Sequence, residues 1–268
     1  MPEGDTLRRI ALNLERALLE GRVSAFFSTS AALEAAALRQ RLVGTRVLGC
    51  EARGKHLLIH FESGAALHTH LGLHGSWRLH SRATLPPRLE RRARVALETD
   101  RVVAACLGRG TTVELLPPGG VARHPGLLRL GPDLLAPDFD AGEAGARLCR
   151  LPDEAIGVAL LRQTVMAGIG NVYKSEVLFL CGVDPFAPVL RLDTATRQRL
   201  IGTARRLMQR NLGPGPRRTT SSPAQPLWVY RRAGHPCRKC GAIIRRAVQG
   251  EDRRSTYWCP RCQAAAAG

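Results

Sequence analysis

Two shortages constrain this 268-residue chain before any motif is considered. Aromatic residues make up only 4% of it, so a core must be filled mainly by Leu, Val and Ala. Acidic residues are scarce as well: 22 Asp and Glu stand against 40 Lys and Arg, a formal charge of +18. A field of that sign favours polyanionic partners over cationic ones. No apolar run approaches the roughly 18 residues of a membrane span, so a membrane partner is not expected. No basic segment followed by an apolar stretch opens the chain, and no signal peptide is expected. Internal repeats are also lacking, which excludes a solenoid. Hydrophobic residues still reach 44%, enough for a true core rather than wholesale disorder.

The cationic surplus is concentrated. From Arg197 to Cys262 there are sixteen Lys and Arg but only two acidic residues, Glu251 and Asp252. Residues 133–154 carry instead Asp133, Asp138, Asp140, Glu143, Asp153 and Glu154. A compositional bias spread over the whole chain would not segregate charge this way, and nucleic acid is the favoured partner. The eight cysteines divide likewise. Cys50, Cys106, Cys149 and Cys181 are scattered through apolar segments, and the other four form two C-x-x-C pairs. That pattern fits a reducing cytoplasm and a metal site better than a disulfide framework.

Periodicity predicts an α+β, multidomain chain. Leu7, Ile10, Ala11, Leu14, Ala17 and Leu18 recur at helical spacing over residues 7–20. From about residue 43 to 116 the period shortens toward two. Strands are expected at 55–61, 67–71, 76–80, 94–99, 102–107 and 112–116, with a hairpin turn at Ser63-Gly64. Short strands at regular spacing argue for an antiparallel sandwich or barrel. Pro117-Pro118-Gly119-Gly120 reads as a domain boundary. Helices are expected beyond it at 140–150, 154–167, 171–181 and 193–211, the last followed by an exposed, mobile loop over 213–226. The expected domains are therefore 1–117, 121–227 and 228–263.

The metal site is the strongest local signal. Cys237 and Cys240 are separated from Cys259 and Cys262 by eighteen residues. Four thiolates on two knuckles match tetrahedral zinc, with no coordination position left open, so one structural Zn2+ is expected. A module this short cannot bury a core of its own, and metal binding supplies its folding energy, on the order of 10 kcal/mol in zinc-finger peptides. His68, His70 and His74 invite a second metal reading. No carboxylate or thiolate is spaced to join them, and they read as ordinary sheet histidines.

The N-terminus offers a nucleophile. A small residue after Met1 favours removal of the initiator, exposing Pro2 as a secondary amine that can attack a sugar carbon and form an iminium. Lying ahead of a helix, the amine sits at the positive end of a dipole that favours its neutral form. Glu3 is adjacent and suited to general acid/base work.

Met1-Pro2-Glu3-Gly4, Gly54-Lys55-His56-Leu57-Leu58, Gly168-Ile169-Gly170-Asn171-Val172-Tyr173 and the terminal finger occur in that order. Together they make the chain resemble the formamidopyrimidine-DNA glycosylase / endonuclease VIII family over nearly its whole length. The resemblance implies an N-terminal helix plus antiparallel β-sandwich, a helix–two-turn–helix domain and a C-terminal zinc finger with four cysteine ligands. It implies a base-excision-repair enzyme that removes oxidised bases from damaged double-stranded DNA and then nicks the strand by β,δ-elimination; a monomer is the simpler expectation. Pro2 is the implied nucleophile, Glu3 its acid/base partner and Lys55 a phosphate-binding catalytic residue. Asn171 and Arg254 are implied backbone-phosphate ligands. Thr6 stands where family members often have Glu. Leu107-Gly108-Arg109-Gly110-Thr111 lacks the Arg-x-Phe wedge of the formamidopyrimidine branch. Gly4 and the missing wedge point to the endonuclease VIII branch and to oxidised pyrimidines. Leu73 is the candidate intercalating residue. Rival readings are a purine-type glycosylase, an abasic-site lyase alone, and a zinc-ribbon DNA binder without catalysis.

Overall fold

The computed structural model describes residues 2–84 and 89–264. The chain divides into two compact units, Met1–Arg129 and Leu130–Gly268.

The first unit opens with helix α1 (Gly4–Leu18), which buries Leu7, Ala11, Leu14 and Leu18 along one stripe. It starts three residues before the expected position because Glu3 already takes the extended N-cap conformation (φ −126°, ψ 178°). Two four-stranded antiparallel sheets follow. One orders β1 (Val23–Ser28), β6 (Ala93–Thr99), β7 (Val102–Leu107) and β5 (Ser76–Ser81) as β1-β6-β7-β5. The other orders β2 (Val47–Arg53), β3 (His56–Phe61), β4 (Ala66–His70) and β8 (Thr112–Leu116) in sequence. Leu57, Ile59, Phe61 and Leu67 from the second sheet join Val95, Leu97, Ala104 and Cys106 from the first in one buried cluster with α1. That shared core makes the unit a sandwich. Each fully buried Leu or Ile contributes roughly 1.5–3 kcal/mol. Phe61 and Trp77 are the aromatic residues buried in this cluster, and aliphatic side chains fill the rest. Helix α2 (Ala31–Arg39) lies where periodicity predicts no element. A short helix, α3 (Pro125–Leu128), closes the unit, with His124 at its N-cap.

The second unit is helical and then finger-like. Asp140 and Asp193 cap α4 (Ala141–Cys149) and α7 (Thr194–Arg210), accepting from the amides of Glu143 at 2.9 Å and Thr196 at 2.7 Å. The helix expected over 154–167 is only α5 (Ile156–Ala159), followed by turns up to α6 (Asn171–Cys181). Backbone groups beyond Leu161 are claimed from outside the helix. Gly131 N–H donates to the Gln163 carbonyl at 2.8 Å and Ala167 N–H to the Pro132 carbonyl at 2.9 Å. Leu148, Ile156, Met166, Tyr173, Val177, Leu200 and Met208 form the core of this half. The loop expected over 213–226 is exposed over most of its length, but its middle is tied down by side chains. Asn211 bonds both the amide and carbonyl of Arg218, at 2.8 and 3.0 Å, and Thr219 and Thr220 are buried. The finger hairpin pairs β9 (Arg245–Gln249) with β10 (Arg254–Trp258), over a small core of Phe179, Val229, Ile244, Cys237 and Cys259.

Candidate functional site

In the first unit the candidate catalytic residues sit at chain ends and turns. Pro2 is half-buried just ahead of α1, while Glu3 is fully buried at the N-cap. A carboxyl withdrawn from water is a suitable proton carrier. Lys55 occupies, with Gly54, the two-residue turn between β2 and β3, whose flanking residues Arg53 and His56 are paired. Leu73 lies 47% exposed in the turn after β4. That turn needs its glycines. A Cβ on Gly72 would lie 2.7 Å from the Gly110 carbonyl oxygen, and one on Gly75 would lie 2.5 Å from Thr111 Oγ1. The loop that presents Leu73 is therefore pressed against the 108–111 loop, where the wedge sequence is missing.

Behind Lys55 lies a histidine cluster that spacing along the chain does not reveal. His68 Nδ1 and His124 Nε2 each lie 3.0 Å from the same oxygen, Glu114 Oε2. His56 Nδ1 lies 2.8 Å from His68 Nε2, and the two rings stack with centroids 5.0 Å apart. His70 tilts against His56 at 5.3 Å. Burial, reinforced by His68, His70 and His124, pushes His56 down to about 3. Burial also lowers His68 and His70, and the Lys55 charge depresses His70 further. Desolvation pushes Glu114 upward, but hydrogen bonds from His68 and His124 outweigh it and hold its carboxyl below the usual range. The carboxylate missing from the sequence argument comes from β8, cross-strand from His68. His74 is exposed and stands apart from this chain of contacts.

In the second unit the candidate phosphate ligands are held by buried polar groups. Asn171 opens α6 after Gly170, which is extended, and Gly168, whose φ is +111°. The turn is tied by Gln163: its Oε1 accepts from Gly168 N–H at 2.9 Å, and its Nε2 donates to the Ile169 carbonyl at 3.0 Å. Asn171 is buried, and its Oδ1 has no hydrogen-bond partner. Its amide orientation can interchange, so this position can offer a donor beside the positive end of an eleven-residue helix. Arg254 begins β10, partly exposed, with Nε 3.7 Å from Asp252 Oδ2. A surface pair of that kind is weak, and a phosphate can displace it.

The same helix grips the finger. Glu176, fully buried, accepts from the backbone N–H groups of Trp228, Val229 and Tyr230 at 2.8–2.9 Å and from the Thr219 hydroxyl. Lys174 Nζ, also buried, donates to Thr256 Oγ1 at 2.8 Å and to the Ser255 carbonyl at 3.1 Å. Asn171 and Arg254 are thereby indexed to one another through α6 and β10. No periodicity argument finds Lys174, Glu176 or Gln163. The one available signal is two charges inside an otherwise apolar helix.

The four cysteines fit zinc. Their sulfurs lie within 4.8 Å of one another, with Cys240–Cys259 at 3.4 Å and Cys237–Cys262 at 3.9 Å. Tetrahedral sulfurs at the usual zinc distance are separated by about 3.8 Å. Amides of Lys239 and Cys262 donate to the sulfurs of Cys237 and Cys259, both at 3.4 Å, steadying the negative charge of the set. One structural zinc occupies this finger when bound. Among the described residues no helix is long and apolar enough to cross a membrane.

Comparison with known proteins agrees with this geometry along the whole chain. Residues 1–110 match the formamidopyrimidine-DNA glycosylase N-terminal domain, 130–222 the formamidopyrimidine-DNA glycosylase H2TH domain, and 234–265 the zinc finger found in FPG and IleRS. Endonuclease 8 2 of Mycobacterium tuberculosis is 41% identical, the match covering 98% of this chain and 100% of the relative. The DNA-(apurinic or apyrimidinic site) lyase Nei2 of Mycolicibacterium smegmatis is 38% identical, covering 99% and 100%. Formamidopyrimidine-DNA glycosylase of Bordetella petrii is 38% identical over 83% of each chain. The fold matches that of Lactococcus lactis Fpg in complex with an abasic site containing DNA, with TM-score 0.84 and 24% identity, covering 98% of this chain and 100% of that one. The chain belongs to the formamidopyrimidine-DNA glycosylase / endonuclease VIII family.

Proposed function

We propose, from this membership, that the protein is a bifunctional DNA glycosylase and abasic-site lyase acting on oxidised bases, preferentially pyrimidines, in duplex DNA. The observation that carries the reading is the pairing of Pro2, at the head of α1, with a fully buried Glu3. The curated relatives named above support the lyase half and the endonuclease VIII branch.

In this reading the Pro2 nitrogen, freed by removal of Met1, attacks C1′ of an extruded nucleotide. The C1′–N bond breaks, and the departing base takes a proton through Glu3. The Pro2 nitrogen gives up its proton, the C1′–O4′ bond breaks with protonation of O4′ so that the sugar ring opens, and the resulting iminium draws electrons from C2′. Loss of the C2′ proton expels the 3′-phosphate, and a second elimination expels the 5′-phosphate. Lys55 binds phosphate beside the lesion and assists catalysis. Leu73 fills the space left in the stack, at a cost of a few kcal/mol for unstacking that is smaller at a damaged pair. Asn171 and Arg254 hold backbone phosphate, so affinity falls steeply with salt. Zinc holds the finger in shape and takes no part in bond breaking. The protein acts as a monomer.

Borohydride reduction on an abasic duplex tests this directly. Wild-type protein is expected to become covalently linked to DNA. Pro2→Gly is expected to lose trapping and base excision by roughly 100-fold or more while still binding. Equal trapping by the variant, or a mature chain that keeps Met1 by mass spectrometry, removes Pro2 as nucleophile. A lesion panel of oxidised pyrimidine, 8-oxoguanine and abasic duplexes then decides substrate preference.

A further inference from the structure

The finger is not the only place where metal-ligating atoms converge. His68 Nδ1, His124 Nε2 and a carboxylate oxygen of Glu114 lie within 4.8 Å of one another in the first unit. They come from three separate elements: β4, β8 and the N-cap of α3. The two nitrogen–oxygen separations are both 3.0 Å. Ligands around a four-coordinate ion with bonds of about 2.0–2.1 Å lie roughly 3.3 Å apart, so small side-chain adjustments bring all three onto one ion.

We propose that His68, Glu114 and His124 form a second metal site, for a divalent transition ion of the zinc class. Two imidazoles and one carboxylate suit a borderline ion and leave a coordination position open. The Glu114 side chain is 44% exposed, so the open position faces solvent and exchanges water. His56 supplies the outer support that ligating imidazoles need. With His68 bound through Nδ1, its proton moves to Nε2, where His56 Nδ1 accepts it across 2.8 Å. On His124 the proton moves to Nδ1 and replaces the bond from Leu127 N–H, which at 3.3 Å is the longest in the cluster. Metal binding thus exchanges ring tautomers and loosens one helix cap. It also ties the strand that follows Lys55 to β4, β8 and the start of α3.

The test is metal content and spectroscopy of the full chain with its finger loaded. Wild-type protein equilibrated with Zn2+ and freed of excess is expected to carry two equivalents by mass spectrometry. Glu114→Gln and His68→Ala are expected to carry one, and Cys259→Ser is expected to keep the histidine-bound equivalent. His56→Ala should weaken the second site about 10–100-fold. Added Co2+ should give weak visible bands without the near-ultraviolet charge transfer of a thiolate site. This readout on wild-type protein does not depend on the variants folding, nor on any glycosylase activity. A single equivalent in wild type with no thiolate-free cobalt spectrum overturns the proposal. So do two equivalents retained in both folded variants, Glu114→Gln and His68→Ala.

Discussion

The two units position their chemistry in opposite ways. In the first, Pro2, Lys55 and Leu73 stand on a chain end and on two turns beside a cluster of buried apolar residues, with Glu3, Asp5 and His68 also buried in this unit. Rigidity there comes from strand register and from glycines packed against neighbouring backbone. In the second, buried Lys174 bonds α6, which starts at Asn171, to β10, which starts at Arg254, and buried Glu176 bonds α6 to residues 228–230. Apolar packing tolerates substitution and relaxes around it. A buried charge with several hydrogen bonds does not, because removing it strands every partner. The sandwich should therefore be sensitive at its proposed catalytic tips, and the helical unit at its hidden supports.

The contrast can be broken most severely through the finger. Cys259→Ser is expected to release the finger zinc and remove folding energy on the order of 10 kcal/mol from that module. Fluorescence of Trp228 and Trp258 should change while the environment of Trp77, in the sandwich, does not. Zinc retention in the finger at wild-type level contradicts the ligand assignment. Next comes Glu176→Ala, which strands three backbone amides and should lower stability by about 3 kcal/mol or more. A denaturation midpoint equal to that of wild type would show that α6 does not depend on this carboxylate.

The sandwich should show its own weakness toward acid, through its surface rather than its core. On β2 a hydrogen bond from His60, 2.8 Å away, holds the Glu51 carboxyl down at about 2; desolvation opposes this, and Arg53 adds to it. An unfolded glutamate protonates near 4.5. Between these values the folded state binds fewer protons than the unfolded one, so stability falls as pH drops from about 4.5 toward 2. Above 4.5 this contribution is fully retained. Glu51→Gln should flatten the dependence of melting temperature on pH in that window, and an unaltered slope would assign acid sensitivity elsewhere. The smallest effect is expected at Arg254→Ala. It should weaken DNA binding by about 1 kcal/mol and reduce the salt slope by about one; an identical slope would take Arg254 out of the phosphate contacts.

Much of the fold is legible wherever the informative residues are close in sequence. Strands β7 and β8 occur at the expected residues because period-two alternation is local. The cysteine knuckles are legible for the same reason. The helix expected over 154–167 does not run its full length because Gly131 and Pro132 claim its backbone partners from more than thirty residues away. The loop over 213–226 is exposed over most of its length, as its composition implies, while Asn211 and Glu176, outside the loop, tie down Arg218 and Thr219. His68 and His70 are sheet residues, as their spacing predicts, but they are not isolated ones, since Glu114 lies 46 residues from His68 in the chain.

By itself the sequence determined the zinc ligands and the sandwich-then-helices order, because each rests on spacing or position along the chain. Tertiary structure decided which polar groups meet: Glu114 with two imidazoles, Glu176 with three amides, Lys174 with β10. Those meetings depend on strand register and helix packing, and an interior polar atom has little choice but to bond whatever the fold sets beside it.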